Sequence, residues 1–70
     1  HQDASIYGGR IAAGTTLRQP LLGPTYGLIS AGSVTINGHA LEAGDGIEIR
    51  DEATVDIVAK TDAEILLIDL

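Results

Sequence analysis

Hydrophobic and polar residues alternate in short runs along most of this chain. In residues 33–37, Val34 and Ile36 alternate with polar residues, which is the period-2 pattern of a strand that buries one face. The pair Asn37-Gly38 follows directly. It predicts a tight hairpin turn, because a type I′ turn requires positive φ at both central residues.

The same pattern predicts further short strands on both sides of this hairpin. Gly8-Gly9 indicates a bulge or a close approach of two backbones in the first strand. Pro20 and Pro24 indicate an irregular loop. No run of a dozen residues places hydrophobic side chains at helical spacing, so the chain is predicted to be all-β with antiparallel strands, a small sandwich or barrel. The other predicted strands cover residues 5–11, 15–18, 26–31 and 53–59, short strands around Leu41 and Ile47, and residues 63–70.

The inward-facing positions of these strands predict one contiguous core. Because the chain contains no Phe, Trp or Met, that core must consist of aliphatic side chains, and Ile and Val favour strands. The predicted core residues are Val34, Ile36, Leu41, Ile47, Ile49, Val55, Ile57, Ile65 and Leu67.

The last strand is hydrophobic on both faces. Ile65 and Leu67 face the core, whereas the hydrophobic residues between and after them face the other way. A strand of this kind is normally covered on both sides. The alternative is that the strand closes against the loop at residues 20–24. We predict an outer contact surface, for a second domain or a second copy of the chain, formed by Val58, Leu66, Ile68 and Leu70.

Composition limits the class of protein. Seventy residues allow one small domain, and the absence of Cys excludes a disulfide. The net charge of −6 repels phosphate backbones, so a nucleic-acid partner is not expected. No hydrophobic run approaches the ~18 residues of a membrane span, and no basic-then-apolar leader begins the chain. These features predict a cytoplasmic protein without a membrane partner.

The central stretch resembles a known family. A hydrophobic strand ending at Gly32, then VTING, then LEAGDG, is similar to the middle of a cupin domain. Together with HQDASIY at the start, DEATVDI after the central stretch and DAEILLIDL at the end, this stretch gives the chain a resemblance to the C-terminal cupin of pirin-like proteins. That family includes bacterial quercetin 2,3-dioxygenases. The resemblance implies that residues 1–70 are a single C-terminal cupin-like domain of jelly-roll type, a fragment of a two-domain bicupin.

The resemblance also bears on metal binding. The cupin pattern has two His flanking one residue, then Glu, six residues and a Gly, with a further His after a Gly-Asp turn. With Gly32 as that Gly, the Glu position is Thr25 and the last His position is Val55. The first two His positions fall among Arg18, Gln19, Pro20 and Leu21. None of these residues suits a divalent transition metal, so no metal is expected in this chain. The resemblance implies one divalent metal (Fe, Ni, Cu or Mn) in the N-terminal cupin of the parent.

The remaining polar candidates have ordinary structural explanations. His39 is predicted at a solvated hairpin tip, and His1 is terminal. The carboxylate of Asp45 is expected to accept hydrogen bonds from local backbone N–H groups. No Ser lies in a nucleophile-elbow motif. The three arginines are expected to pair with surface carboxylates: Arg10, Arg18 and Arg50.

The functional expectation follows from the resemblance and from these absences. The chain is expected to be a non-catalytic, metal-free domain that packs on the N-terminal cupin of a metal-dependent quercetin 2,3-dioxygenase. The alternative is a stand-alone small cupin that acts as a ligand-binding or homodimeric scaffold module. Catalysis by this chain itself is not expected, because no cluster of titratable residues converges in the core.

Overall fold

The computed structural model describes residues 6–70, with side chains from residue 8 onward. Two of the positions discussed above, His1 and Ser5, lie outside this range. The described part of the chain forms eight strands: β1 (Ile6–Ile11), β2 (Thr16–Pro20), β3 (Thr25–Ala31), β4 (Ser33–Ile36), β5 (His39–Glu42), β6 (Gly46–Ile49), β7 (Thr54–Ala59) and β8 (Ala63–Asp69).

The strands form two four-stranded sheets. Sheet A has the order β1-β8-β3-β6 and sheet B the order β2-β7-β4-β5, and every paired strand is antiparallel. This is the strand order of an eight-stranded jelly roll, and it confirms the predicted fold class. Residues 6–70 include no helix long and apolar enough to cross a membrane.

The hydrophobic core lies between the two sheets. Seven of the nine predicted core residues are fully buried, and the other two, Leu41 and Ile47, are partly buried against them. Sheet A contributes Ile65 and Leu67, and sheet B contributes Val34, among others. Three further buried residues were not predicted: Ile29, Ala59 and Ala63.

The predicted hairpin turn is confirmed, and it is attached to the rest of the sheet. Asn37 has a φ of 48° and Gly38 a φ of 85°, as a type I′ turn requires. The backbone N–H of Asn37 donates to the Asp56 carbonyl at 2.9 Å, and the Asp56 N–H donates to Asn37 Oδ1 at 2.8 Å. The tip of the β4–β5 hairpin is therefore held against β7.

Two local predictions are wrong. Residue 20 does not lie in an irregular loop, because β2 continues to Pro20, which pairs with Thr54. A proline is tolerated there because β2 is the edge strand of sheet B. The Gly8-Gly9 pair forms no bulge, since β1 keeps a regular register with β8. A close approach of a second backbone is not found there either, because the near neighbour of Gly8 is a side chain: an added Cβ would lie 2.8 Å from Leu66 Cδ2.

The predicted outer surface is divided by the topology. Val58 lies on β7 in sheet B, whereas Leu66 and Ile68 lie on β8 in sheet A. Each of these three adjoins a residue in the sequence that is buried in the shared core, and successive side chains of a strand point to opposite faces. Val58 therefore points away from the core on one side of the sandwich, and Leu66 and Ile68 point away from it on the other. The prediction that Val58 adds to the same outer side is therefore wrong. The role of these residues as an interface stays a prediction.

Candidate functional site

Most of the predicted ligand positions meet at one end of the sandwich. Gln19, Pro20 and Leu21 at the end of β2, together with Thr25 at the start of β3, line a cavity of about 220 Å³. The remaining lining residues are Leu22, Leu67 and Asp69. Four of the six residues that stand at the ligand positions of the cupin pattern therefore lie around one cavity, whereas Arg18 and Val55 do not line it.

The chemistry of this cavity does not suit a transition metal. Thr25 is 1% exposed, and its hydroxyl donates to the Gly23 carbonyl at 3.0 Å. Val55 is fully buried in the core and is the cross-strand partner of Gln19. Of the lining residues only Asp69 carries a carboxylate, and a divalent metal needs several imidazole or carboxylate ligands. Within residues 8–70, no group of three or more His, Cys, Asp and Glu side chains could hold a metal ion.

Arg18 belongs to the predicted ligand segment but does not contribute to this cavity. Its Nε donates to Asp56 Oδ1 at 2.8 Å and its Nη2 to Asp56 Oδ2 at 3.2 Å. The hydrogen bond and the charge of Asp56 raise the pKa of Arg18. The hydrogen bond from Arg18, assisted by its charge, lowers the pKa of Asp56. This two-pronged pair is exposed and connects the edge strand β2 to β7.

A larger cavity, of about 410 Å³, lies between β1, the end of β3 and the start of β8. Its charged groups are bonded to one another or to neighbouring parts of the protein. Arg10 Nε lies 3.5 Å from Glu64 Oε2, and the Ser30 hydroxyl donates to Glu64 Oε1 at 2.9 Å. The Ala13 N–H donates to Asp62 Oδ1 at 2.9 Å. These carboxylates therefore stabilise the loop and strand ends around the cavity.

The other polar candidates behave as predicted. His39 is exposed and lines a shallow polar groove beside the Arg50–Glu48 pair, whose Nη2 and Oε2 lie 2.8 Å apart. The hydrogen bond from Arg50 to Glu48 raises the pKa of Arg50. Asp45 Oδ2 accepts a hydrogen bond from the Glu42 N–H at 2.9 Å. The prediction that the three arginines pair with surface carboxylates is confirmed.

The outer face of sheet A carries a hydrophobic cluster of which the sequence analysis identified only Leu66 and Ile68. The register places Leu66 beside Leu28, and Ile68 beside Tyr26, so a cluster of four hydrophobic side chains spans β8 and β3. We call this cluster, Tyr26, Leu28, Leu66 and Ile68, the sheet A patch. Tyr26 and Leu28 are two residues apart in the sequence, as are Leu66 and Ile68, but the pairing of β3 with β8 was not predictable from spacing.

The fold places the chain among cupin-type β-sandwiches. The crystal structure of YhhW from Escherichia coli superposes with a TM-score of 0.93 at 32% sequence identity, and the match covers 100% of this chain and 31% of that one. At this identity and coverage the agreement extends to the whole strand arrangement.

Sequence comparison identifies the family. The family described as "Quercetinase C-terminal cupin domain" matches residues 1–70, and the chain belongs to it. A pirin-like protein of Caulobacter vibrioides is 41% identical over 69 residues, which are 96% of this chain and 30% of that protein. A putative quercetin 2,3-dioxygenase of Zymomonas mobilis is 31% identical over 70 residues, 97% of this chain and 30% of that protein. The chain thus spans about 30% of the length of these two relatives.

Proposed function

We propose that this chain is the non-catalytic, metal-free C-terminal cupin of a pirin-like protein that acts as a metal-dependent quercetin 2,3-dioxygenase. In this proposal the N-terminal cupin of the same protein binds one divalent metal (Fe, Ni, Cu or Mn) and carries out the oxidation. The present domain packs on that cupin and supports it. A cytoplasmic location remains a prediction from the sequence.

The observation that carries the proposal is the composition of the cavity at residues 19–25. Four of the residues that stand at the ligand positions of the cupin pattern line this cavity, and hydroxyl, amide and aliphatic groups form most of its lining. These groups cannot replace imidazoles as ligands of a divalent metal, which supports the proposal that the chemistry of the full-length protein takes place in its N-terminal cupin. The names and lengths of the relatives support a larger, dioxygenase-type parent.

The proposal is tested on the full-length protein that carries this domain, by elemental analysis and by an assay of quercetin ring cleavage. Gln19→Ala and Asp69→Asn change two of the polar side chains that line the cavity. Both variants should leave the metal content and the cleavage rate unchanged. Substitution of the histidines in the N-terminal cupin should abolish both.

Two results would contradict the proposal. One is stoichiometric transition metal bound by residues 1–70 alone after purification without chelator. The other is a loss of metal from the full-length protein on Gln19→Ala or Asp69→Asn, with circular dichroism unchanged. A full-length protein that binds metal but does not cleave quercetin would refute only the activity.

The stand-alone alternative would use the same cavity differently. A cavity of about 220 Å³ is below the usual volume of sites for drug-sized ligands, about 300–1,000 Å³. We therefore propose the supporting role for this end of the domain. The cavity of about 410 Å³ between β1, β3 and β8 lies within that range, but the carboxylates that line it are bonded to the protein.

A further inference from the structure

The two outer faces of the sandwich differ in chemistry. On sheet B the outward positions include the Arg18–Asp56 ion pair and the hydroxyl residues Thr35 and Thr54. Val58 is an isolated hydrophobic residue among them, 37% exposed. On sheet A the central outward positions are all hydrophobic, and they form the sheet A patch. A solvated face is expected to look like sheet B.

Glycines on both sides of the patch make it flat. Gly8, Leu66, Leu28 and Gly46 form one row across four strands of sheet A. The Tyr26 side chain leans over Gly46, where any side chain would collide with its hydroxyl group. On the other side a side chain at Gly8 would collide with Leu66 Cδ2. The large side chains therefore lie along the sheet, and another layer can pack on them at the usual distance of about 10 Å.

Among the residues whose side chains the structure describes, the charged groups on this face lie beside the patch, and they are paired. Arg10 pairs with Glu64 at one end, and Glu48 pairs with Arg50 on the edge strand side. The centre of the patch contains no charge, although the chain as a whole carries −6. A partner surface that matches this arrangement is hydrophobic at its centre and polar at its rim.

The area of the patch indicates what kind of partner covers it. A whole aromatic side chain presents about 150–250 Å², so the 37% of Tyr26 that is exposed amounts to less than about 100 Å². The other three members are partly buried. A stable complex between separate chains buries about 800 Å² on each partner, more than this patch supplies. Interfaces between domains of one chain begin at about 600 Å² in total. The covalent link between two such domains also raises the effective concentration of each domain near the other.

We infer that the sheet A patch is the surface by which this domain packs on the neighbouring domain of its own full-length chain. This inference rests on one part of the proposed function, that the domain belongs to a larger pirin-like protein, and it specifies the contact. The partner is a hydrophobic surface of the same polypeptide, neither a second copy nor a small ligand. The outer face of sheet B stays in contact with solvent.

Cysteine accessibility in the full-length protein tests this inference with a matched pair of positions. Tyr26 and Val58 are both 37% exposed in the present domain, and residues 1–70 contain no other thiol. Tyr26→Cys and Val58→Cys are each made in a background without other accessible cysteines, and the rate of labelling by a thiol reagent is measured under native conditions. The thiol of Tyr26→Cys should react at least about tenfold more slowly than that of Val58→Cys, because labelling at position 26 requires the domains to separate.

Calorimetry provides a second measurement that does not depend on Tyr26→Cys folding. Ile68→Glu in the full-length protein should split a single unfolding transition into two, because the charge disrupts the domain contact. Val58→Glu, the control, should leave the transition single. If Tyr26→Cys is not folded by circular dichroism, Ile68→Cys replaces it in the labelling experiment.

Equal labelling at positions 26 and 58, with no effect of Ile68→Glu on the unfolding transition, would overturn the inference. Protection at position 26 that disappears on dilution would also overturn it, because the partner would then be a second copy. A full-length protein that protects position 26 but does not cleave quercetin would leave the inference intact and would refute only the proposed activity.

Discussion

Glycines with the same backbone conformation in this domain lie in different surroundings. Gly32 has a φ of 80° and Gly38 a φ of 85°, a region that costs a residue with a side chain about 1–2 kcal/mol. At Gly38 an added Cβ would meet nothing within 4 Å. At Gly32 it would collide with the Asp62 carbonyl oxygen and would lie 2.8 Å from Ala63 Cα. The β3–β4 junction therefore needs glycine for space as well as for conformation.

The corresponding prediction compares Gly32→Ala with Gly38→Ala. Gly38→Ala should lower the free energy of unfolding by about 1–2 kcal/mol. Gly32→Ala should cost that amount plus the penalty for an overpacked site, typically about 1–3 kcal/mol, because the clashing atoms are mostly backbone. Urea unfolding of both variants measures the difference. Equal costs would mean that the backbone at Asp62 and Ala63 can move away from the β3–β4 junction without loss.

The Arg18–Asp56 pair predicts a pH dependence. Because the pKa of Asp56 is lowered in the folded state by Arg18, its stabilising contribution is complete above the unfolded pKa, near 3.8. The contribution is lost as the pH falls through the lower folded value. Asp56→Asn should therefore reduce the loss of stability below about pH 4, and Arg18→Gln should produce the same change.

The double variant Arg18→Gln/Asp56→Asn provides the control for this pair. If the two side chains act through one another, the second substitution should add little to the first in chemical unfolding between pH 2 and pH 7. Additive effects would show that Asp56 stabilises the fold through another contact. Because both side chains are exposed, the expected effect is small and should decrease with added salt.

Strands β7 and β8 show how alternation organises an element of this fold. Val55, Ile57 and Ala59 face the core from β7, and Ile65 and Leu67 face it from β8. Both strands are flanked by two neighbours in their sheets, so their inner residues contact side chains from the opposite sheet as well as from adjacent strands. Most of the packing energy of the domain is therefore concentrated at these positions and at the facing residues of β3 and β4.

Truncation of the central aliphatic residues should be strongly destabilising. Ile36 and Ile57 are 0% and 2% exposed, so Ile36→Ala or Ile57→Ala should cost about 2–5 kcal/mol. That cost approaches the whole stability of a small domain, about 5–15 kcal/mol. Val58→Ala, one residue from Ile57 but on the outer face, should change the free energy of unfolding by less than about 0.5 kcal/mol. Thermal unfolding that does not distinguish Ile57→Ala from Val58→Ala would show that the inner face is wrongly assigned.

At the scale of the whole molecule, the sheet A patch determines how the domain behaves when expressed alone. Its exposed hydrophobic area favours self-association by roughly 25 cal/mol per Å², against association costs of several kcal/mol. The sequence predicted a contact surface for a second domain or a second copy of the chain, and that surface included Val58. Because Val58 lies on the other sheet, the available area is smaller than that prediction assumed, and the dimer should be weak.

Sedimentation of residues 1–70 at high micromolar concentration measures this association. Added salt should strengthen it by screening the charge of −6 on each chain. Ile68→Glu should abolish it, and Val58→Glu should not. A dimer that persists in Ile68→Glu would mean that another surface, such as a free sheet edge, forms the contact.

Much of this domain follows from local pattern alone. An alternation with a period of two shows which residues of a strand share a face. This was sufficient to assign Ile36, Ile57, Ile65 and their neighbours on the inner faces to the core. The Asn37-Gly38 turn followed from its required φ values. The cupin spacing named four of the residues that line the cavity at residues 19–25, because that spacing counts residues along two adjoining elements. The paired surface arginines followed from the excess of carboxylates.

The tertiary structure alone decided which strands share a sheet. Alternation within a strand contains no information about its neighbours, and β3 pairs with β8 across more than thirty intervening residues, Leu28 with Leu66 for example. The strand order therefore joined Tyr26 and Leu28 to Leu66 and Ile68, and it placed Val58 on the opposite face. It also made β2 an edge strand, which is why Pro20 can belong to it. The physical reason is that the order of strands in a sheet results from long-range packing of many strands at once. The type of a turn, and the face of a strand on which a side chain lies, are set within a few residues.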